Sequence, residues 1–227
     1  MDTCLRSTFF IDADHEAVRR VAEDLTSGLL SDCEKGVRLY YFVRDLIRYN
    51  PYMISTHRDD FRASLTLERG QGYCVQKAIL LTALGRAVGI PARLAFAKIR
   101  NHRLPNHLRE AIGTDILPAH GFSQLYIQGR WLSVTPAFDR ELCAKNSMPP
   151  VEFDGGHDAL LAPFDGEGKP FIEYLEKYEP QEDLPLAWLT GRVRSIWGHK
   201  RSWINEQDSE GHTMASGFRF QRKEKVL

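Results

Sequence analysis

The sequence has no excess of charge of either sign: 30 Lys and Arg stand against 30 Asp and Glu. That balance argues against electrostatic capture of nucleic acid or of an anionic membrane. No apolar run is long enough to span a bilayer. The opening residues, MDTCLRSTFFIDADHE, lack a basic segment leading into an apolar one, so no secretion signal is expected. Cysteine is scarce, and Cys4, Cys33, Cys74 and Cys143 form no C-x-x-C pair or zinc-finger spacing. Internal repeats and low-complexity blocks are missing too. These absences leave a cytoplasmic enzyme or binding protein with free thiols and no metal or cofactor, in 227 residues that can bury one full core.

What is present is organised around one stretch, GQGYCVQKAILLTALGRAVGIPAR, from Gly70 to Arg93. Val75 to Val88 is apolar on nearly all sides, which predicts a helix covered all round. Gly89 fits the position just past its end, and Pro91 follows. Upstream, Asp14 is the expected N-cap of a helix over HEAVRRVAEDLTSGLL, and Asp32 opens a second over DCEKGVRLYYFVRDLI. Residues 52–69 read as loop or short helical turns. Downstream, ARLAFAKIR predicts a strand, residues 100–118 a polar connection with a short helix at HLREAI, and HGFSQLYIQGRWLSVTP a β-hairpin turning at Gln128–Gly129. Beyond Asp139 short elements follow, with a helix expected at FIEYLEKY and a peripheral extension from about Thr190. The order implies an α+β fold in which an antiparallel sheet packs on a buried central helix.

Cys74 opens that helix. Taken alone, such a cysteine is more often small buried filler than a nucleophile. Lowering a thiol from about 8.5 to about 6 takes roughly 3 kcal/mol, whereas a helix N-terminus supplies ~0.3–1 kcal/mol. A nucleophile at this position therefore needs a histidine able to form an ion pair with it. His120, opening the hairpin, is the best placed; His102 and His107 sit in the polar connection, and His157 in GGHD is a weaker rival. In a hairpin turning at Gln128–Gly129, Thr135 is a diagonal neighbour of His120; with the turn slid by one residue, Asp139 lies opposite. Asp115 is also within reach, so Thr135, Asp139 and Asp115 all remain open as the group that orients the imidazole. Tyr73 and Trp131 read as packing residues that also wall the cleft, and Arg86 and Arg93 as structural.

LYYFVRDLIRYNPY, GYCVQKAILLTALGRAVGIPAR and HGFSQLYIQGRWLSVTP together resemble the core blocks of the bacterial transglutaminase-like superfamily, whose fold is similar to that of papain-type cysteine proteases. The likeness spans about residues 38–139. It implies one domain over 1–227, with 1–37 an N-terminal helical extension and 140–227 a C-terminal extension. It further implies Cys74 as nucleophile, His120 as base, and Thr135 at the third position, where the family carries an acid. Phe122 and Gln124 stand where Trp and Glu are usual. For the oxyanion, the backbone N–H of Cys74 is the expected donor, with the Gln71 side chain as a second. The implied activity is acyl transfer from a peptide or protein-amide substrate through a cysteine thioester, to water or to an amine. A non-catalytic peptide-binding or scaffold domain of the same fold is the alternative.

Overall fold

The computed structural model describes residues 2–197. Helix α1 spans Glu16–Thr26 and α2 spans Asp32–Leu46; strand β1 (Arg48–Tyr49) follows, then α3 (Ala63–Arg69) and strand β2 (Gln71–Gly72). The central helix α4 runs Cys74–Ala87, and strand β3 runs Ala92–Asn101. Then come α5 (Asn106–Ile112), β4 (Ile116–Ile127), β5 (Arg130–Val134), α6 (Arg140–Lys145), β6 (Ile172–Lys177) and α7 (Leu186–Trp197). Four strands form one antiparallel sheet in the order β5-β4-β3-β6, while β1 and β2 make a separate parallel pair. This is the expected α+β fold: α4 lies on the sheet, with α1, α2 and α3 packed around it.

Local chemistry explains most of the elements. Every residue of α4 from Val75 to Arg86 is buried, as its all-round apolar pattern requires. The Gln76 side chain reaches back to accept the Tyr73 N–H at 3.1 Å and donates to the Asp60 carbonyl at 2.9 Å, tying the start of α4 to the preceding loop. Gly89, at φ +83°, lets the chain leave the helix. The β4–β5 hairpin turns on Gln128 and Gly129, both at positive φ, and pairs Ile127 with Arg130 and Ser123 with Val134.

Several expectations need correction. The N-cap of α1 is His15, whose Nδ1 accepts the Ala17 N–H, while Asp14 accepts a hydrogen bond from the Ser7 hydroxyl. Helix α2 does open at Asp32 as expected, with Ser31 before it as the cap, in a reciprocal box with Glu34. FIEYLEKY is a strand: β6 pairs antiparallel with β3, with Ile172 buried and Tyr174 partly buried while Glu173 and Glu176 face outward. Its Leu, Glu and Lys favour helix locally, and pairing with a strand some 75 residues earlier overrides them. The connection 100–118 is apolar on its inner side, where Leu104, Leu108 and Ile112 are buried. In the last stretch α7 packs Trp188 against Phe96 and Tyr178; the expected extension beyond Trp197, with His199 and His212, lies outside the described residues.

Polar groups fasten the segment after the hairpin to the helices. Arg44, fully buried, donates to the Val151 carbonyl at 2.6 Å and pairs with Asp45 and Glu152. The Tyr40 hydroxyl lies 3.1 Å from the Thr135 carbonyl and 2.9 Å from that of Val151. Residues of 151–193 thereby join the same hydrophobic core as α4 and β3.

Candidate active site

The chain places Cys74 and His120 on the wall of one cavity. Cys74 is there because α4 begins at it. His120 is there because β4 crosses that helix start through Gly121. A Cβ at Gly121 would sit 2.9 Å from both Cα and Cγ2 of Val75, nearer than real Cβ atoms come. With no side chain in the way, the strand lies against the first turn of the helix, and the Gly121 N–H is directed at the Cys74 sulfur. The Val75 N–H, freed by the helix start, points at the same atom. Just after the Ala97–His120 pair, β3 carries a bulge between Ala97 and Ile99, a common device beside functional sites.

His120 is buried, with its Nε2 3.0 Å from the Thr135 hydroxyl. The hairpin register makes this contact, as expected for a turn at Gln128–Gly129. Thr135 is itself held on both sides of its backbone: its N–H donates to the Ala159 carbonyl at 2.8 Å and its own carbonyl faces Tyr40. Phe122 stacks on the imidazole with ring centres 6.2 Å apart and planes 21° from parallel. The two carboxylates considered as orienters are engaged elsewhere. Asp139 caps α6, accepting the Leu142 N–H at 2.8 Å and the Tyr49 N–H at 3.0 Å. Asp115 lies 3.6 Å from Arg100.

Electrostatically the site differs from a ready-made ion pair. Burial pushes the Cys74 thiol up to about 11, although the Gly121, Val75 and Cys74 N–H groups and the nearby Lys77 all favour the thiolate. Burial lowers His120 to about 4, and its hydrogen-bond partner is a hydroxyl. Lys77, one turn along α4, gives limited help: its ammonium is desolvated, its own value falls to about 7, and its Nζ donates to the Arg44 carbonyl at 3.0 Å. At neutral pH the resting pair is therefore thiol and neutral imidazole. The amino-acid pattern carries no sign of how dry the site is, which is why it suggests a thiolate.

Gln71 sits on β2, its side-chain oxygen accepting from Asn50 Nδ2 at 3.1 Å, and is not part of the cavity wall. Tyr73 and Trp131 do not line the cavity either. Tyr73 is buried against Phe61, its hydroxyl without a partner among the described residues, and Trp131 covers the Arg93 guanidinium at 4.0 Å. Gln124 links Arg93 to Ser133, accepting from one and donating to the other, which a glutamate could not do. Arg86 donates to three backbone carbonyls, those of Arg6, Ala92 and Glu182, and is structural. His102 lies 3.6 Å from Glu173, His107 3.0 Å from the Tyr52 hydroxyl and His157 2.7 Å from Asp154.

A family model of the transglutaminase-like superfamily matches residues 19–136, just over half of the chain and the segment that carries Cys74, His120 and Thr135. The chain belongs to this superfamily. Among solved structures it is similar to a protein described as "a Putative Cysteine Protease from Cytophaga hutchinsonii", at 15% identity and TM-score 0.46, over 78% of this chain and 53% of that one. It is also similar to one described as a "putative protease" from Parabacteroides distasonis, at 14% identity and TM-score 0.37, over 55% of this chain and 25% of that one. The transglutaminase-like chain thus spans about half the length of the first and a quarter of the second. No curated protein sequence matches it.

Two residues of this transglutaminase-like chain join the site without being singled out by sequence reasoning. Gly121 is one, and its signal is a glycine directly after the strand histidine. Tyr174 is the other, from β6 and outside the matched region. Its ring stands edge-on to His120 with centres 6.2 Å apart, and its hydroxyl hydrogen-bonds Thr135 and accepts the Leu161 N–H at 3.3 Å. Burial raises the Tyr174 phenol beside His120 to about 12 and keeps it neutral.

Proposed function

We propose that this chain is a thiol-dependent acyl-transfer enzyme acting on amide or related acyl bonds. The observation that carries this reading is the placing of Cys74 and His120 on one cavity wall, with Thr135 at the imidazole Nε2. In the tautomer this mechanism uses, Nε2–H donates to Thr135 and Nδ1 is the basic nitrogen. His120 Nδ1 takes the Cys74 proton as the sulfur attacks the acyl carbon, and a sulfur–carbon bond forms. The leaving amine or alcohol departs with the proton His120 received. Water or an amine then gives a proton to His120 and attacks the thioester; the sulfur–carbon bond breaks and Cys74 regains its proton. The oxyanion lies at the first turn of α4, where the Cys74 N–H is its donor. Because the resting pair is neutral, proton removal accompanies attack and does not precede it.

The test is turnover of a panel of amides and activated esters by wild type and Cys74→Ala. The mechanism predicts a loss of at least about a hundredfold; equal rates would exclude Cys74 as the nucleophile.

A second reading rests on a specific observation: the thiol is pushed up to about 11 and the third position offers a hydroxyl in place of an acid. It makes the chain a peptide-binding or scaffold domain without catalysis. Peptide affinity unchanged in Cys74→Ala, together with no turnover by wild type, would favour it.

A further inference from the structure

Beside Cys74 and His120 the cavity holds about 220 Å³ and is walled by apolar side chains from separate segments. Ile99 comes from β3, Leu104, Leu108 and Ile112 from the connection and α5, Leu117 from β4, and Met148 from the chain after α6. Its charged lining residue, Arg103, is already paired within the protein. Arg103 pairs with the buried Asp165 carboxylate and donates to the Asn146 carbonyl at 3.2 Å. Asn101 accepts the Arg103 N–H at 3.0 Å, and the Asn146 amide donates to the Leu142 carbonyl at 2.8 Å. An incoming charged group would lose its hydration without gaining a counter-charge, whereas a hydrocarbon would lose nothing.

We infer that this cavity is the acyl-binding site and that it selects an unbranched apolar acyl group of medium length over a glutamine-type amide. The inference rests on the acyl-transfer reading for its chemistry and on the wall of the cavity for its selectivity. Its capacity corresponds to about seven water volumes at ~30 Å³ each, room for a chain of roughly six to eight carbons. The acyl carbon sits at the Cys74 sulfur with its tail running towards α5; sulfur replaces the alcohol or amine on that carbon, and the leaving group carries away the Cys74 proton through His120.

Chain-length dependence tests this directly, with p-nitrophenyl acetate, butanoate, hexanoate and octanoate and a blocked glutamine peptide as substrates. Burial of each methylene is expected to raise kcat/KM about fourfold until the cavity is full, and the glutamine peptide should fall well below hexanoate. Leu108→Trp, which puts a larger side chain into the cavity, should flatten the hexanoate-to-acetate ratio, in which any general loss cancels. Ile112→Trp serves the same purpose if the first variant does not fold. A flat or falling series with turnover that still needs Cys74 would overturn the apolar pocket and leave the thiol chemistry standing. Calorimetry with octanamide and acetamide on Cys74→Ala separates the other failure. Tighter binding of octanamide, with no turnover by wild type, would keep the pocket and remove the chemistry; no preference between the two amides would overturn the pocket.

Discussion

Acidification should destabilise this protein through His120. The residue is 3% exposed and its ring contacts a hydroxyl and two aromatic rings, with no carboxylate among them. Burial holds it at about 4 against an ordinary 6.5. Between those values the unfolded chain binds a proton that the folded chain refuses, so stability is complete above about pH 6.5 and is lost as pH falls towards 4. At about 1.4 kcal/mol per pH unit the whole gap is worth roughly 3 kcal/mol, and the part between pH 7 and pH 4.5 about 2 kcal/mol. His120→Gln removes the titration while keeping a donor for Thr135. Urea unfolding of both proteins at pH 7 and pH 4.5 isolates this contribution from other groups. Wild type should lose about 2 kcal/mol more than the variant over that interval. Equal losses would mean that the folded imidazole titrates as the unfolded one does, which would refute the downward shift assigned to burial.

Three further outcomes follow from the same geometry. Cys74, pushed up to about 11, should react only slowly with iodoacetamide at pH 7.5 and accelerate about tenfold per pH unit above that; a plateau between pH 5 and 8 that His120→Ala abolishes would reveal a thiolate–imidazolium pair instead. Gly121→Ala should cost about 1–3 kcal/mol through the clash with Val75, lowering Tm by several degrees in thermal unfolding, and a wild-type Tm would disprove the close approach. Tyr174→Phe removes the acceptor of the Leu161 N–H and so loosens the ring beside His120; it should lower kcat/KM roughly 3- to 10-fold and shift the acid limb of its pH profile, and a change in KM alone would make Tyr174 a packing residue.

The parts of this account that were visible in the amino-acid pattern are those set by local chemistry. An apolar run that leaves no polar face could only be a covered helix, and Gln128–Gly129 between β-rich runs fixed the register that brings Thr135 to His120. The parts that were hidden depend on distant partners. FIEYLEKY becomes β6 only because β3 offers an edge, and Tyr174 reaches His120 only because β6 exists. The apolar cavity arises where the connection before β4 and the segment after β5 close over Cys74, and the polar residues of the connection, turned outward, mask its inner face. That enclosure reverses the direction expected for the thiol: the helix start, its N–H donors and Lys77 all favour the thiolate, but desolvation outweighs them.

The most direct measurement of the central claim is intact-mass analysis of the protein mixed with an activated hexanoyl ester and quenched in acid within seconds, followed by peptide mapping. One added hexanoyl group is expected, carried by the peptide containing Cys74, absent in Cys74→Ala and lost again on incubation with water or an amine. Label on another residue, or no label while wild type turns the ester over, would contradict Cys74 as the acyl carrier.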